Sequence, residues 1–231
     1  MKVYYDIHIH SALSPCGDND MTPNNIVNMA LLKGLDVIAV ADHNTCRNVK
    51  SIMKVAEDRL LVIPAMEIET SEEVHMLTLF PELSMAEEME RILIEKSNPV
   101  RNRPEIFGNQ YIMNEYDEII GEEERLLVTA TGLDIYEVVR QAQGLGGVAI
   151  PAHIDRSSYS VLSNLGFIPP DLKIGTVEIT PKNREKMQNE YDKFEVISNS
   201  DAHYLWDISE RNFALDISNK KICEILSKLL P

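Results

Sequence analysis

Long apolar runs are missing from this sequence. Nowhere in its 231 residues do the roughly 18 consecutive apolar positions of a membrane span occur, and the opening Met1-Lys2-Val3-Tyr4-Tyr5-Asp6 has no apolar signal core. No membrane partner and a cytoplasmic location are therefore expected. Cysteine is scarce as well: Cys16, Cys46 and Cys223 are odd in number, irregularly spaced and never arranged as CxxC. That excludes a disulfide framework and a thiolate-rich structural zinc site, and it suits a reducing compartment. Cys16 and Cys46 do follow metal-type strings, but small buried thiols are the ordinary state of such residues. Basic residues are few, 22 against 37 acidic ones for a net charge of -15. Without a basic stripe to displace counterions, extended nucleic acid is not expected as a partner, although a metal cluster would still draw in a small phosphorylated substrate. No internal repeat or low-complexity tract divides the chain, so one domain over 1–231 is expected.

What the chain does have is histidine in one kind of place. All six imidazoles lie in short acidic or apolar strings: YYDIHIH (His8, His10), VIAVADH (His43), EVHML (His75), VAIPAH (His153) and VISNSDAH (His203). In a strand, positions i and i+2 face the same way, so His8 and His10 can share one ion while Ile7 and Ile9 face the opposite side. The same spacing puts Asp201 and His203 together, with small Ala202 turned away. A mixed set of imidazoles and carboxylates suits catalytic zinc, manganese or iron.

Apolar strings alternate with helical patterns along the chain. Strands are predicted at 2–8, 36–41, 60–64, 73–80, 148–151, 176–180 and 194–198. Thr22 and Pro23 open a helix that Gly34 closes, Ser84 with Glu87 reads as a capping box, and further helices are predicted at 48–58, 134–143 and 219–230. Alternation of this kind implies an α/β fold with a mostly parallel sheet, barrel-like because His43, His153, Asp201 and His203 each end an apolar strand run, where (β/α) barrels build their sites. Residues 95–126 break the pattern with Asn98-Pro99, Arg103-Pro104 and Gly108-Asn109. They read as a small insertion carrying a hairpin that turns near Asn114-Glu115.

The strings His8-Ile9-His10-Ser11, Ala41-Asp42-His43-Asn44, Pro64-Ala65-Met66-Glu67, Val74-His75, Pro151-Ala152-His153 and Ser200-Asp201-Ala202-His203, in that order, resemble the PHP (polymerase and histidinol phosphatase) domain. The resemblance spans nearly the whole chain. It implies a distorted (β/α)7 TIM-like barrel that holds two or three divalent ions and hydrolyses phosphate esters. It also implies the ligands: His8, His10, Glu67 and Asp201 for one ion, Glu67, His75 and His153 for a second, and Asp18, His43 and His203 for a third. Asp20 competes with Asp18 for the last carboxylate, and Ala65 replaces a glycine often found there.

Metal chemistry then implies the reaction. A water shared between two ions beside Glu67, Asp201 and His203 loses a proton near neutral pH and attacks phosphorus. Arg156, three residues after His153, is placed to grip phosphate, against a pairing with neighbouring Asp155; Lys182 and Arg184 follow the 176–180 strand and are further substrate contacts. Asp42 either orients a ligating imidazole or ends its strand. Tyr204 and Trp206 either stack a ring or pack at the rim. The expected activity is hydrolysis of a small phosphate monoester or diester, such as a nucleotide or histidinol phosphate. The alternatives are an amidohydrolase-type enzyme acting on a C–N bond, for which only Lys182 offers a lysine near a strand end, and a non-catalytic PHP-like regulatory module.

Overall fold

The computed structural model describes residues 1–231, and apolar periodicity decides most of its elements. Strand β1 (Lys2–Ile9) leads to helix α1 (Pro23–Leu32), where the Thr22 hydroxyl accepts from the Asn25 N–H and Pro23 fills the first turn, as predicted. Gly34 ends that helix at φ +73°. There follow β2 (Val37–Val40), α2 (Val49–Ala56), β3 (Leu61–Val62), β4 (Ala65–Glu69), β5 (His75–Leu79) and α3 (Leu83–Lys96). The Ser84 capping box does not form: α3 begins two residues earlier than that cap would place it, behind Glu82, without a side-chain cap. The next elements are α4 (Pro104–Phe107), β6 (Tyr111–Met113), β7 (Ile119–Glu122) and α5 (Ile135–Gly144), the last opened by a capping box between Asp134 and Glu137. The chain continues through β8 (Val148–Pro151), α6 (Val161–Leu165), β9 (Thr176–Glu178), α7 (Arg184–Met187), β10 (Glu195–Ile197), β11 (Ala214–Asp216) and α8 (Ile222–Leu229).

The result is a mixed α/β fold in which the sheet is less parallel than the alternation implied. One sheet has the order β11-β1-β2-β3, parallel from β1 to β3 with β11 antiparallel at its edge. A second, β4-β5-β8, is antiparallel throughout, because β4 and β5 are joined by a short connection (residues 70–74) with no room for a crossover helix. β9 and β10 pair in parallel, and β6 with β7 forms the predicted hairpin. Single bridges, Ile9 with Ala202 and His43 with Glu67, tie the sheets to one another beyond the strand ends.

These links fall where the polar residues are. A core that includes Val3, Tyr5, Ile7, Ala39, Ala65, Leu77, Ile150 and Ile197 packs on one side of the strands, and Ile9, Ile38 and Val40 pack with α1 and α2 on another. Ile7 and Ile9 thus lie in different cores, since the β1 register shifts between Asp6 and Ile9. The strand ends themselves are buried and polar. No helix is long and apolar enough to cross a membrane.

Candidate metal centre

Glu67, on β4 and 1 % exposed, is the hub. Its Oε1 lies 3.3 Å from His8 Nε2, 3.0 Å from His75 Nδ1 and 3.1 Å from His153 Nε2, and its Oε2 lies 3.4 Å from His10 Nε2 and 3.2 Å from His43 Nδ1. Asp201 Oδ1 closes the ring at 3.5 Å from His8 Nε2 and 3.0 Å from His10 Nε2. His8 near the end of β1 and His10 one residue past it therefore reach the same two carboxylates. His153 and Asp201 turn into the site with φ of +30° and +50°, left-handed backbone that is uncommon for residues with side chains and frequent at functional strand ends.

Hydrogen bonds settle which ring nitrogens are available. His8 Nδ1 faces both Glu178 oxygens at 3.1 Å, and an ionised carboxylate only accepts, so the proton sits on Nδ1 and Nε2 offers its lone pair. Ser14 Oγ gives its proton to Asp42 Oδ1 at 2.7 Å and accepts from His10 Nδ1 at 3.0 Å, which again leaves Nε2 free. His203 Nδ1 donates to the Asp201 carbonyl at 2.8 Å. His8 Nε2, His43 Nδ1 and His153 Nδ1 are buried and make no hydrogen bond, a costly state unless a cation takes the lone pairs. The donor set thus fits divalent ions of the zinc, manganese or iron type.

The charge balance points the same way. Burial raises the Glu67 carboxyl, but His75, His8 and His43 outweigh it and hold it well below the carboxylate range. Asp201 is likewise held low, against its burial, by His8 and His10. Burial disfavours charge on His8, yet Glu178, Glu67 and Asp201 prevail and raise its pKa well above the imidazole range. His203, by contrast, is lowered to about 4 by burial and by His10. The carboxylates draw positive charge to the middle of the cluster, and protons and metal ions compete for the same lone pairs.

The cluster opens into a cleft of about 230 Å³ whose lining includes Cys16, Glu69, Arg156 and Tyr159 as well as the metal-type residues. Arg156 reaches it, but pairs with Asp201 Oδ2 at 2.6 Å rather than with Asp155, whose carboxylate is taken by Thr180 and Asn183. Lys182 and Arg184 do not line the cleft; the Asp155 ties turn that loop aside, and the Arg184 guanidinium lies 5.3 Å from the Phe213 ring. The Asp18 carboxylate accepts the Asp20 N–H at 2.9 Å, and the side chain that joins His10, His43 and His203 is Cys16. Asp42 acts on imidazole through Ser14 instead of directly. Tyr204 and Trp206 stack on each other at 4.9 Å.

Glu178 is the residue that sequence reasoning missed. Fully buried on β9, it holds His8, accepts the His153 N–H at 2.9 Å and is itself held by Asn199 Nδ2 at 2.7 Å. Its only sequence signal is a carboxylate inside the apolar string Thr176-Val177-Glu178-Ile179. Glu178→Gln is expected to fold but to bind ions roughly 10- to 100-fold more weakly, as measured by competition with a chromogenic chelator. Wild-type affinity in that variant would show that Glu178 does not orient the centre.

No family model matches the chain. An uncharacterised protein of Methanocaldococcus jannaschii is 32% identical over 182 residues, covering 78% of this chain and 20% of that protein. Endonuclease Q of Pyrococcus furiosus, a lesion-specific endonuclease, matches with a TM-score of 0.73 at 21% identity over 99% of this chain and 56% of its own. A complex of Endonuclease Q with a 27-mer duplex bearing an abasic lesion at the active site matches at 0.71. A protein from Bifidobacterium adolescentis described as a metal-dependent phosphoesterase matches at 0.59 with 18% identity, over 98% of this chain and 96% of its own. The chain therefore spans 20% of the curated relative and 56% of Endonuclease Q.

The fold is that of PHP-like metal-dependent phosphoesterases, in agreement with the motif resemblance. The expectation of a small phosphorylated substrate, with nucleic acid disfavoured by net charge, is corrected by the duplex-bound neighbour. Net charge measures an average over the surface, whereas a cleft that gathers metal ions sets its own local field.

Proposed function

We propose that this chain is the catalytic unit of a metal-dependent phosphoesterase that cleaves phosphodiester bonds in nucleic acid. The observation that carries this reading is the convergence of six imidazoles on Glu67 and Asp201 at an open cleft. In this reading His8, His10, Glu67 and Asp201 hold one ion, Glu67, His75 and His153 a second, and His43 and His203 take part in a third. Ions of the zinc, manganese or iron kind held there would supply an activated water and positive charge for phosphoryl oxygens.

The remaining work belongs to the chain. Glu178 and Ser14 keep the protons of His8 and His10 on Nδ1, so that Nε2 faces the cleft. Arg156, 42% exposed at the rim, has guanidinium protons to spare beyond its Asp201 contact and grips a phosphate oxygen. The substrate class rests on the likeness to Endonuclease Q. We also read β1, β2, β4, β5, β8, β9 and β10 as the ring of a distorted (β/α)7 barrel in a single domain with residues 95–126 inserted. The single bridges and the Ile154 N–H to Glu178 carbonyl bond at 2.9 Å support that ring.

The test uses the whole chain loaded with zinc or manganese and a 27-mer duplex carrying a central abasic site, beside the intact duplex. Strand cleavage next to the lesion, abolished by chelation, is the expected result on a denaturing gel. Trp206, the sole tryptophan, is 69% exposed three residues beyond His203, so its emission is expected to change when the duplex binds. Ion-loaded protein that leaves every duplex uncut would overturn the reading.

A further inference from the structure

From the structure we infer that Cys16 Sγ is a metal donor, completing with His43 and His203 the third ion position in place of a carboxylate. This rests on the metal-centre reading above and deepens it. Cys16 Sγ and one ring nitrogen each of His10, His43 and His203 all lie within 4.8 Å of one another. His10 Nε2 already faces Asp201 at 3.0 Å, which leaves two imidazoles and the thiol around the remaining position. Hydrogen bonding leaves room for it: His203 Nδ1 is bonded to the Asp201 carbonyl, so its Nε2 lone pair is unclaimed, and His43, 5% exposed, makes no hydrogen bond through Nδ1, which lies 3.2 Å from Glu67 Oε2.

The backbone holds the thiol in this place. Gly17 N–H bonds the Ser14 carbonyl at 2.9 Å, and the Asp18 N–H bonds the carbonyl of His203 itself at 2.9 Å, stapling the loop to one of its co-ligands. A Cβ at Gly17 would collide with the Ser11 carbonyl, and one at Gly108 with the Pro15 carbonyl, so backbone packs on the loop from both sides. Asp18, meanwhile, uses its carboxylate to cap Asp20, the local bond that aspartate makes in turns. Thiolate is a softer donor than carboxylate and biases this position towards zinc over manganese or magnesium.

Two measurements on the full-length protein test the proposal without reading activity. Loaded with cobalt(II), the wild type is expected to show a near-ultraviolet thiolate-to-cobalt charge-transfer band. Cys16→Ala should lose that band and one bound ion, and Asp18→Asn should keep both. In parallel, iodoacetamide labelling read by peptide mass spectrometry should fall at Cys16 when zinc is added and stay constant at exposed Cys223, an internal reference. Bound cobalt without the band, or equal labelling of Cys16 with and without zinc, would overturn the thiol donor and leave the centre of imidazoles and carboxylates standing. Protein that retains no cobalt would overturn both.

Discussion

Glu67→Gln is expected to strip ions from the centre and lower turnover by about a thousandfold, roughly 4 kcal/mol of transition-state stabilisation. The change preserves shape and removes one negative charge, so packing at this 1 % exposed site is not the cause. What changes is chemistry. The carboxylate offers an acceptor to His8, His75 and His153 through Oε1 and to His10 and His43 through Oε2. A glutamine puts an N–H₂ group in one of those places, where it donates to the ring lone pairs that metal ions need, and leaves Asp201 as the remaining carboxylate within reach of both His8 and His10. Ion content by atomic emission and cleavage of the abasic duplex should fall together in the same samples. A variant with full ion content and wild-type turnover would show that Glu67 does not bridge the ions.

Asp42→Ala is expected to have the largest effect on stability. Asp42 is 1 % exposed and accepts from Ser11 N at 2.8 Å, Ser11 Oγ at 2.6 Å and Ser14 Oγ at 2.7 Å. Alanine leaves these buried donors without an acceptor at about 1–3 kcal/mol each, and not additively, so a loss of about 3 kcal/mol or more is expected. For a chain of this size that is a drop in Tm of roughly 10 °C. The same change frees Ser14, the acceptor for His10 Nδ1, and loosens the loop that carries Cys16, so ion affinity should fall by about one to two orders of magnitude. Thermal unfolding by circular dichroism of ion-free protein isolates the first effect, and chelator competition measures the second. A wild-type Tm would mean that water replaces the carboxylate without cost and that the loop is held by other contacts.

The residues of the centre were legible in the sequence for a local reason. Alternation along a strand is a rule of covalent geometry, so His8 and His10 announce themselves as a pair wherever β1 ends up, whereas Asp201 and His203 lie beyond β10, with Asp201 at φ +50°, and are brought together by a turn instead of by the strand alternation expected of them. The capped start of α1, its Gly34 stop and the hairpin of residues 111–122 are equally local. The roles that went unread all depend on neighbours distant in the chain. Glu178 looks like one more acid until the fold brings the end of β9 to His8, across 170 positions. Arg156 chooses Asp201 over the adjacent Asp155 because Thr180 and Asn183 already hold the latter.

Cys16 and Asp18 are two positions apart, with Gly17 between them, and their difference is tertiary too. Hydrogen bonds from Gly17 to Ser14 and from Asp18 to the His203 carbonyl decide which of the two side chains faces the imidazoles. The antiparallel run of β5 follows from the short connection behind β4, a matter of loop length more than of residue type. The sequence by itself determined which atoms are able to bind metal, since donor chemistry belongs to each residue alone. Only the tertiary structure decided which donors share an ion and which carboxylates hold them in place, because those choices are made by backbone hydrogen bonds and burial between segments far apart in the chain.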